Sequence, residues 1–459
     1  MARIAFFQNR LGRTDGVSLE VDKWRRVLTE RLGHKVWYCS GNDDVPGNYI
    51  VPELYAQHPM TWKILRNGTV ELTDYEREVD LEQDIYNHAD TLEMRLNRFL
   101  EVNAIELLIP NNLCSGGFQP AAAIAFHRVI RRSGLPAIIH SHDFYFEDSG
   151  EVNATCQSIE SIYERYFPTK LPAVQHVVIN RIAQSHLRER KNLDATVVPN
   201  VFDFDQPAWV RDDYNADFRE QFGIGHDDLV FLQATRVLDR KGIEMAIDIV
   251  AELDTPARRK PLAGAATAAG GRFNESSRII LLCGGIVETI GISGNYWDAL
   301  KAKAAERGVD MRHVGDRVAH SRGEADGRKV YSLWDSYVDA DFVTYPSTWE
   351  GWGNQFIEAV FAKLPVVLFE YPVWVSDLGP VGFDVVSLGR ETTGTDARGL
   401  VTIDPQRVAA AADEVVDILT NPARREAMVE KNFTLGRDNF SLGNLQTLIE
   451  KLLTGAGLR

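Results

Sequence analysis

The sequence predicts an α/β protein made of two doubly wound, Rossmann-like domains, and three observations lead there. Short apolar runs alternate with helical patterns along most of the chain, which is the signature of a parallel sheet covered by helices. The pattern comes in two sets, parted by a polar, Asp-rich stretch at 202–228 that has no clear core periodicity. The chain's 459 residues, at roughly 150 per domain, leave room for two to four domains.

The first set opens with Ile4-Ala5-Phe6-Phe7, a run fit for a buried strand, followed by a flexible loop from Gly12 to Gly16. Val17, Val21, Trp24, Leu28 and Leu32 then recur at helical spacing. Gly33 ends that helix, and Lys35-Val36-Trp37-Tyr38 begins the next strand. Further strands are expected at Ile105–Ile109, Ala137–His140, Val174–Ile179 and Thr196–Val198. The second set runs through Leu229–Leu232, Ile279–Leu282, Phe342–Tyr345 and Val366–Phe369, with helical sequence between them. Residues 255–275, rich in Ala, Gly, Arg and Pro, read as a surface insertion or as a flap over a site. An amphipathic helix is expected over 440–453, capped by Ser441. These patterns divide the chain into residues 1–205, residues 206–435 and a C-terminal helix, 436–459, able to pack across the junction.

Composition narrows the function classes. Hydrophobic residues are 44% and charged residues 25%, so the chain has the makings of a packed core rather than a disordered one. A formal charge of −15 disfavours nonspecific binding to nucleic acid or anionic lipid. Cys39, Cys114, Cys156 and Cys283 lie far apart, which fits a reducing compartment better than a disulfide scaffold. No apolar run approaches the ~20 residues needed to cross a bilayer, and no signal-peptide stretch follows Met1. A cytoplasmic protein is expected.

Ligands of doubly wound domains bind beyond the carboxyl ends of the strands. The most informative such segment is Tyr345-Pro346-Ser347-Thr348-Trp349-Glu350-Gly351-Trp352-Gly353-Asn354-Gln355-Phe356-Ile357-Glu358, a loop that leaves a strand and enters a helix. N–H groups exposed at a helix start attract anions, and glycines allow phosphate to come close. A capped helix with acidic residues nearby would look similar. The segment resembles the hallmark P-S-x-x-E-G-x-G…E-A of the retaining glycosyltransferases of family 4, which have the two-Rossmann GT-B architecture with domains facing across a cleft. The resemblance implies that Glu350 contacts the donor hexose and Glu358 the nucleotide ribose. Gly351, Trp352, Gly353 and Asn354 would line the sugar or diphosphate.

Three further segments fit that pattern. Arg236-Val237-Leu238-Asp239-Arg240-Lys241-Gly242 is similar to the family's R-x4-K-G, whose cations, here Arg236 and Lys241, hold the donor diphosphate. His140-Ser141-His142-Asp143 ends a strand, with both histidines on one strand face. H-x-H is also a metal-ligand spacing, but the resemblance sets His142 beside the donor hexose and His140 as a structural neighbour. Gly12 to Gly16 occupies the place of the family's N-terminal glycine-rich loop, which implies Gly16 near the donor diphosphate or the acceptor; a tight βα turn would read the same. Asp339-Ala340-Asp341 spells D-x-D, the metal motif of a different glycosyltransferase architecture, yet it precedes the Phe342 strand, where the resemblance implies an acidic residue with a structural role. Two departures stand out: Lys363 replaces a glycine expected at a helix end, and Glu370-Tyr371-Pro372-Val373-Trp374 stands where the family carries G-G-x-x-E.

The resemblance therefore implies a retaining hexosyltransferase. It would move glucose or mannose from a UDP- or GDP-sugar to a small hydroxylated acceptor, with no resident cofactor or metal. A phosphorylase or nucleotide-sugar epimerase on the same frame, or a noncatalytic nucleotide-sugar sensor, are the alternatives. The sequence leaves the oligomeric state open.

Overall fold

The computed structural model describes residues 1–12, 16–42, 44–147, 152–288 and 295–458. It divides into two compact units, Met1–Val201 with Phe440–Arg459, and Phe202–Asn439.

The first unit is built on strands β1 (Arg3–Gln8), β2 (Lys35–Ser40), β3 (Tyr49–Ile50), β4 (Leu107–Pro110), β5 (Ala137–Ser141), β6 (Val174–Val178) and β7 (Ala195–Val197). They form one sheet in the order β3-β2-β1-β4-β5-β6-β7, parallel throughout. Alternation along β1 explains why Ile4–Phe7 is continuously apolar. Ile4 and Phe6 pack with Val21, Trp24 and Leu28 on one face, and Ala5 and Phe7 with Phe99 and Phe126 on the other. The strand order reverses between β1 and β4, so the loops leaving those strands diverge over a crevice. Gly12 stands there with φ +79, and a Cβ on it would lie 2.8 Å from the Asp44 carbonyl oxygen. Residues 13–15 of the glycine loop lie outside the described residues, while Gly16 begins the helix Gly16–Arg26.

The C-terminal helix Leu442–Gly455 belongs to this first unit. Ser441 caps it, accepting from the Asn444 N–H. Leu442, Leu445, Ile449, Leu452 and Leu453 join the Ile4–Phe6 face of the core, and Gln175 Nε2 donates to the Leu452 carbonyl at 2.9 Å.

The second unit adds β8 (Leu229–Gln233), β9 (Ile279–Cys283), β10 (Asp310–His313), β11 (Val318–Ala319), β12 (Gly323–Ala325), β13 (Arg328–Ser332), β14 (Phe342–Tyr345), β15 (Val366–Leu368) and β16 (Val386–Ser387). Its main sheet runs β10-β9-β8-β14-β15-β16, all parallel, with β11, β13 and β12 in a small separate sheet. The order reverses between β8 and β14, the strands that precede the Arg236–Gly242 and Pro346–Glu358 segments.

Two stretches differ from expectation. Residues 202–228 open the second unit at the expected junction, yet they pack into it: Phe202 and Trp209 each lie 4.9 Å from the Phe361 ring, and Trp209 stacks on Trp334. Their apolar residues lack a period because the chain runs irregularly until the short helix Phe218–Gln221. Residues 255–275 are not a loose insertion either. They form the helix Pro256–Leu262 and a turn pinned by the Ala266–Arg272 bridge, with Leu262, Ala265 and Phe273 in the core. Three irregularly spaced anchors suffice to hold it, and no periodicity reports them.

The Asp339–Asp341 pair is fully buried and holds this architecture together. Arg219 Nε donates to Asp339 Oδ1 at 3.1 Å, its Nη1 to the Gly225 and Asp228 carbonyls, and its Nη2 to the Asp339 carbonyl. Arg211 pairs with the same carboxylate. Asp341 accepts from the N–H groups of Val230 at 2.8 Å and Ala268 at 2.6 Å, so it ties the 255–275 segment to β8. Burial pushes its pKa up to about 6, against the pull of those N–H groups and of Arg219. Among the described residues, no helix is long and apolar enough to cross a membrane. Replacing Arg219 with Met should cost about 3–5 kcal/mol in urea unfolding, because a buried carboxylate loses one of its two cations; a loss below about 1 kcal/mol would show that Arg211 suffices.

Candidate active site

β8 and β14 are neighbours, with Phe231 beside Phe342 and Leu232 beside Val343. Their carboxyl-end loops therefore emerge side by side. After β8 the chain reaches a single turn of helix at Asp239–Lys241, closed by Gly242 at φ +59. A Cβ on Gly242 would lie 2.4 Å from the Pro346 carbonyl oxygen, so only glycine lets the two loops meet. They are stitched where they meet: Thr348 donates to the Arg240 carbonyl from its N–H at 2.9 Å and its hydroxyl at 3.2 Å.

That contact brings charge to one point. Lys241 Nζ donates to Glu350 Oε1, while Arg240 Nη1 donates to Glu350 Oε2 and to the Trp349 carbonyl, each at 2.9 Å. The Arg240 guanidinium also lies 5.4 Å from the centre of the Trp349 ring. Lys241 and Glu350 are buried. Burial opposes the Glu350 carboxylate, but Lys241 and Arg240 outweigh it and hold its pKa below the usual carboxylate range. Burial lowers the Lys241 pKa; Glu350 opposes that, and the nearby Arg240 and Arg236 charges add to it. Arg236 itself stands more exposed on the same loop, paired with Glu288.

Glu350 leads through half-buried Gly351 and buried Trp352 and Gly353 into the helix Asn354–Phe361. A Cβ on Gly353 would lie 2.7 Å from the Tyr371 hydroxyl and 2.8 Å from Leu378, which is why glycine precedes the helix. The first-turn N–H groups of that helix carry its positive end. Glu358 lies in its second turn, where Oε2 accepts from the buried Tyr337 hydroxyl at 2.9 Å. Tyr337 packs against Trp209, so the 202–228 stretch helps to fix this carboxylate.

In the first unit, β5 delivers His140 and His142, whose ring centres are 4.5 Å apart. Asn111 Nδ2 lies 3.2 Å from His140 Nδ1, and Trp24 covers the His140 ring at 4.9 Å. Burial, with His142 adding to it, keeps the His140 pKa well below its ordinary value, so the ring is neutral. Asn112, at φ +55, accepts at its Oδ1 from the N–H groups of His142 at 3.1 Å and Asp143 at 3.2 Å. Its Nδ2 donates to Asp143 Oδ2. This Asn clamp fixes the backbone at His142 and engages one oxygen of the Asp143 carboxylate.

The structure thus brings Lys241 and Glu350 together, places Arg236 on the same loop, and sets Gly351–Asn354 and Glu358 on the adjoining helix start. Gly16 and His142 belong to the other unit. Sequence reasoning passed over Arg240, although it is the residue before Lys241. It also passed over Tyr345 and Tyr371, buried tyrosines with rings 5.9 Å apart. Burial and the Glu350 charge push both hydroxyls well above the ordinary tyrosine pKa. The one available signal was that Tyr371 interrupts the region expected to be G-G-x-x-E.

No family model matches the chain. A mannosylglucosylglycerate synthase of Petrotoga mobilis is 35% identical over 442 residues, 96% of this chain and 98% of that protein. One of Thermotoga maritima is 36% identical over 450 residues, 98% and 99% of the two chains. A glycosyltransferase structure from Rickettsia africae superposes with a TM-score of 0.62 over 99% of this chain and 98% of that one; at 13% identity it speaks for the fold alone. The chain belongs to the mannosylglucosylglycerate synthase family, glycosyltransferases of the GT-B fold.

Proposed function

We propose that this glycosyltransferase moves a mannosyl group from a nucleoside diphosphate mannose to a glucosylglycerate, with retention of configuration and without a metal ion. The observation that carries the reading is the Lys241–Glu350–Arg240 cluster where the β8 and β14 loops meet, beside the start of the helix Asn354–Phe361. The relatives' name supplies the sugars, since it describes a product with mannosyl, glucosyl and glycerate parts.

The chemistry follows from charge. When the bond from the anomeric carbon to the phosphate oxygen breaks, its electron pair goes to the leaving diphosphate. Lys241, Arg236 and the helix N–H groups stabilise that charge in the place a metal would otherwise take. Glu350 and His142 orient the hexose, and Glu358, its rotamer held by Tyr337, accepts from the ribose hydroxyls. Gly16 and residues 351–354 admit the diphosphate to the backbone. The leaving phosphate takes the proton of the attacking acceptor hydroxyl, so the new bond forms on the face just vacated. A reducing, cytoplasmic setting suits the four free cysteines.

The direct test offers GDP- and UDP-linked sugars with glucosylglycerate in the presence of a chelator, measuring nucleotide release and the anomeric configuration of the product by NMR. An inverted product, or turnover only after a divalent ion is restored, would remove the corresponding part of the proposal. Glu358→Ala should weaken nucleotide diphosphate binding by roughly 1–3 kcal/mol, measured by calorimetry, because a charge-assisted acceptor of ribose hydroxyls is lost. Lys241→Ala should lower turnover by ~10²–10³ while changing the donor's apparent binding constant far less, since leaving-group charge peaks in the transition state. An effect confined to binding would reject that role for Lys241.

A further inference from the structure

Arg240 has no part in the resemblance that pointed to Arg236 and Lys241, yet the structure gives it the most contacts of the three. Its carbonyl accepts twice from Thr348, its Nη1 holds both Glu350 Oε2 and the Trp349 carbonyl at 2.9 Å, and its guanidinium covers the Trp349 ring. Glu350 therefore carries two cations, one on each oxygen. Lys241 is the buried one, and its Nζ is committed to Glu350 Oε1.

That arrangement poses a problem for donor binding. Lys241 serves a diphosphate only if its ammonium turns some of its bonding from Glu350 to phosphate oxygens. A buried carboxylate stripped of its only cation would cost several kcal/mol. With Arg240 in place, the carboxylate keeps a cation throughout. Arg240 has the shape for this task, since a planar guanidinium can hold a carboxylate and a backbone carbonyl together, which a single ammonium on a flexible stem does less well.

We infer that Arg240 is a positioning residue: it is the standing partner of Glu350 and of the Trp349 backbone, and so releases Lys241 to follow the donor's phosphate. This rests on the proposed nucleotide-sugar reading of the site. Arg240 does not itself touch the phosphate in this scheme; it acts through Glu350. The charged and titratable groups around Glu350 are Lys241 and Arg240 directly, Arg236 acting on Lys241, Tyr345 from β14 and Tyr371 after β15. The two tyrosines stay neutral through the acid range, so Lys241 and Arg240 are the charges that hold the Glu350 carboxyl down against its burial.

A double-mutant cycle separates action through Glu350 from direct contact with phosphate. GDP and UDP affinities are measured by calorimetry for the full chain, for Arg240→Gln, for Glu350→Gln and for the double variant. Arg240→Gln should weaken binding of the preferred nucleotide on the order of tenfold, the scale of a charge-assisted hydrogen bond. In the Glu350→Gln background the same change should cost less than about twofold, because no carboxylate then holds Lys241 back. Equal losses in both backgrounds would overturn the inference and make Arg240 a phosphate ligand. Arg240→Lys, which keeps the charge but not the fork, should fall between wild type and Arg240→Gln. A second arm needs no ligand. In ¹³C-carboxyl NMR of the resting protein, the Glu350 titration midpoint should rise by about one pH unit in Arg240→Gln. An unmoved midpoint would equally overturn it. If neither nucleotide binds the wild type, the nucleotide-sugar reading fails, and the carboxyl titration alone then decides whether Arg240 is Glu350's partner.

Discussion

One carboxylate gripped by two cations organises the second unit's edge at the carboxyl ends of β8 and β14. Glu350, Lys241 and Arg240 come from two loops roughly 110 residues apart in sequence, and burial makes their pairing compulsory. Neither loop can shift alone without stranding a charge. The rest of the edge is arranged to permit the pairing: Gly242 lets the Pro346 carbonyl approach, Thr348 closes the seam, and Gly353 lets the next turn settle against Tyr371. The helix Asn354–Phe361 begins a few residues after this pairing, and Arg236 precedes it on the β8 loop.

The scaffold beneath that pairing depends on a second buried charge set. Arg219 and Arg211 neutralise Asp339, and Asp341 joins β8 to the turn at Ala268. D-x-D here is thus a brace between strands. Its carboxylates face N–H groups and guanidinium groups that belong to the fold, not a position from which a ligand would be held.

The long central strands were legible because sheets buried on both faces demand unbroken apolar runs, as in Ile4–Phe7 and Phe342–Tyr345. β3 and β16, two residues each, offer too little pattern to read. The segments 236–242 and 346–358 stood out because glycines mark close backbone approach, which the structure requires at Gly242 against the Pro346 carbonyl and at Gly353 against Tyr371. Arg240 did not, since a cation in a loop looks alike whether it faces water or a buried carboxylate. The 255–275 segment and the aromatic strap through Trp209 depend on partners far along the chain, and local sequence carries no record of them. Lys363 shows a rule broken at small cost: it takes φ +53 where glycine was expected, and its Nζ reaches Glu430 at 2.6 Å across the Phe433 ring.

The placement of the final helix has a consequence for how the protein is made. Five leucine and isoleucine side chains from Leu442 to Leu453 complete the face of the first sheet that Ile4 and Phe6 begin. A ribosome delivers those side chains only after all of Phe202–Asn439 has been synthesised. The first unit must therefore wait, with that face of its sheet only partly covered by Val21, Trp24 and Leu28, while the unit that follows it in sequence can already close its own core. Order of synthesis and order of completion are reversed, and each unit remains joined to the other by two covalent crossings of the backbone.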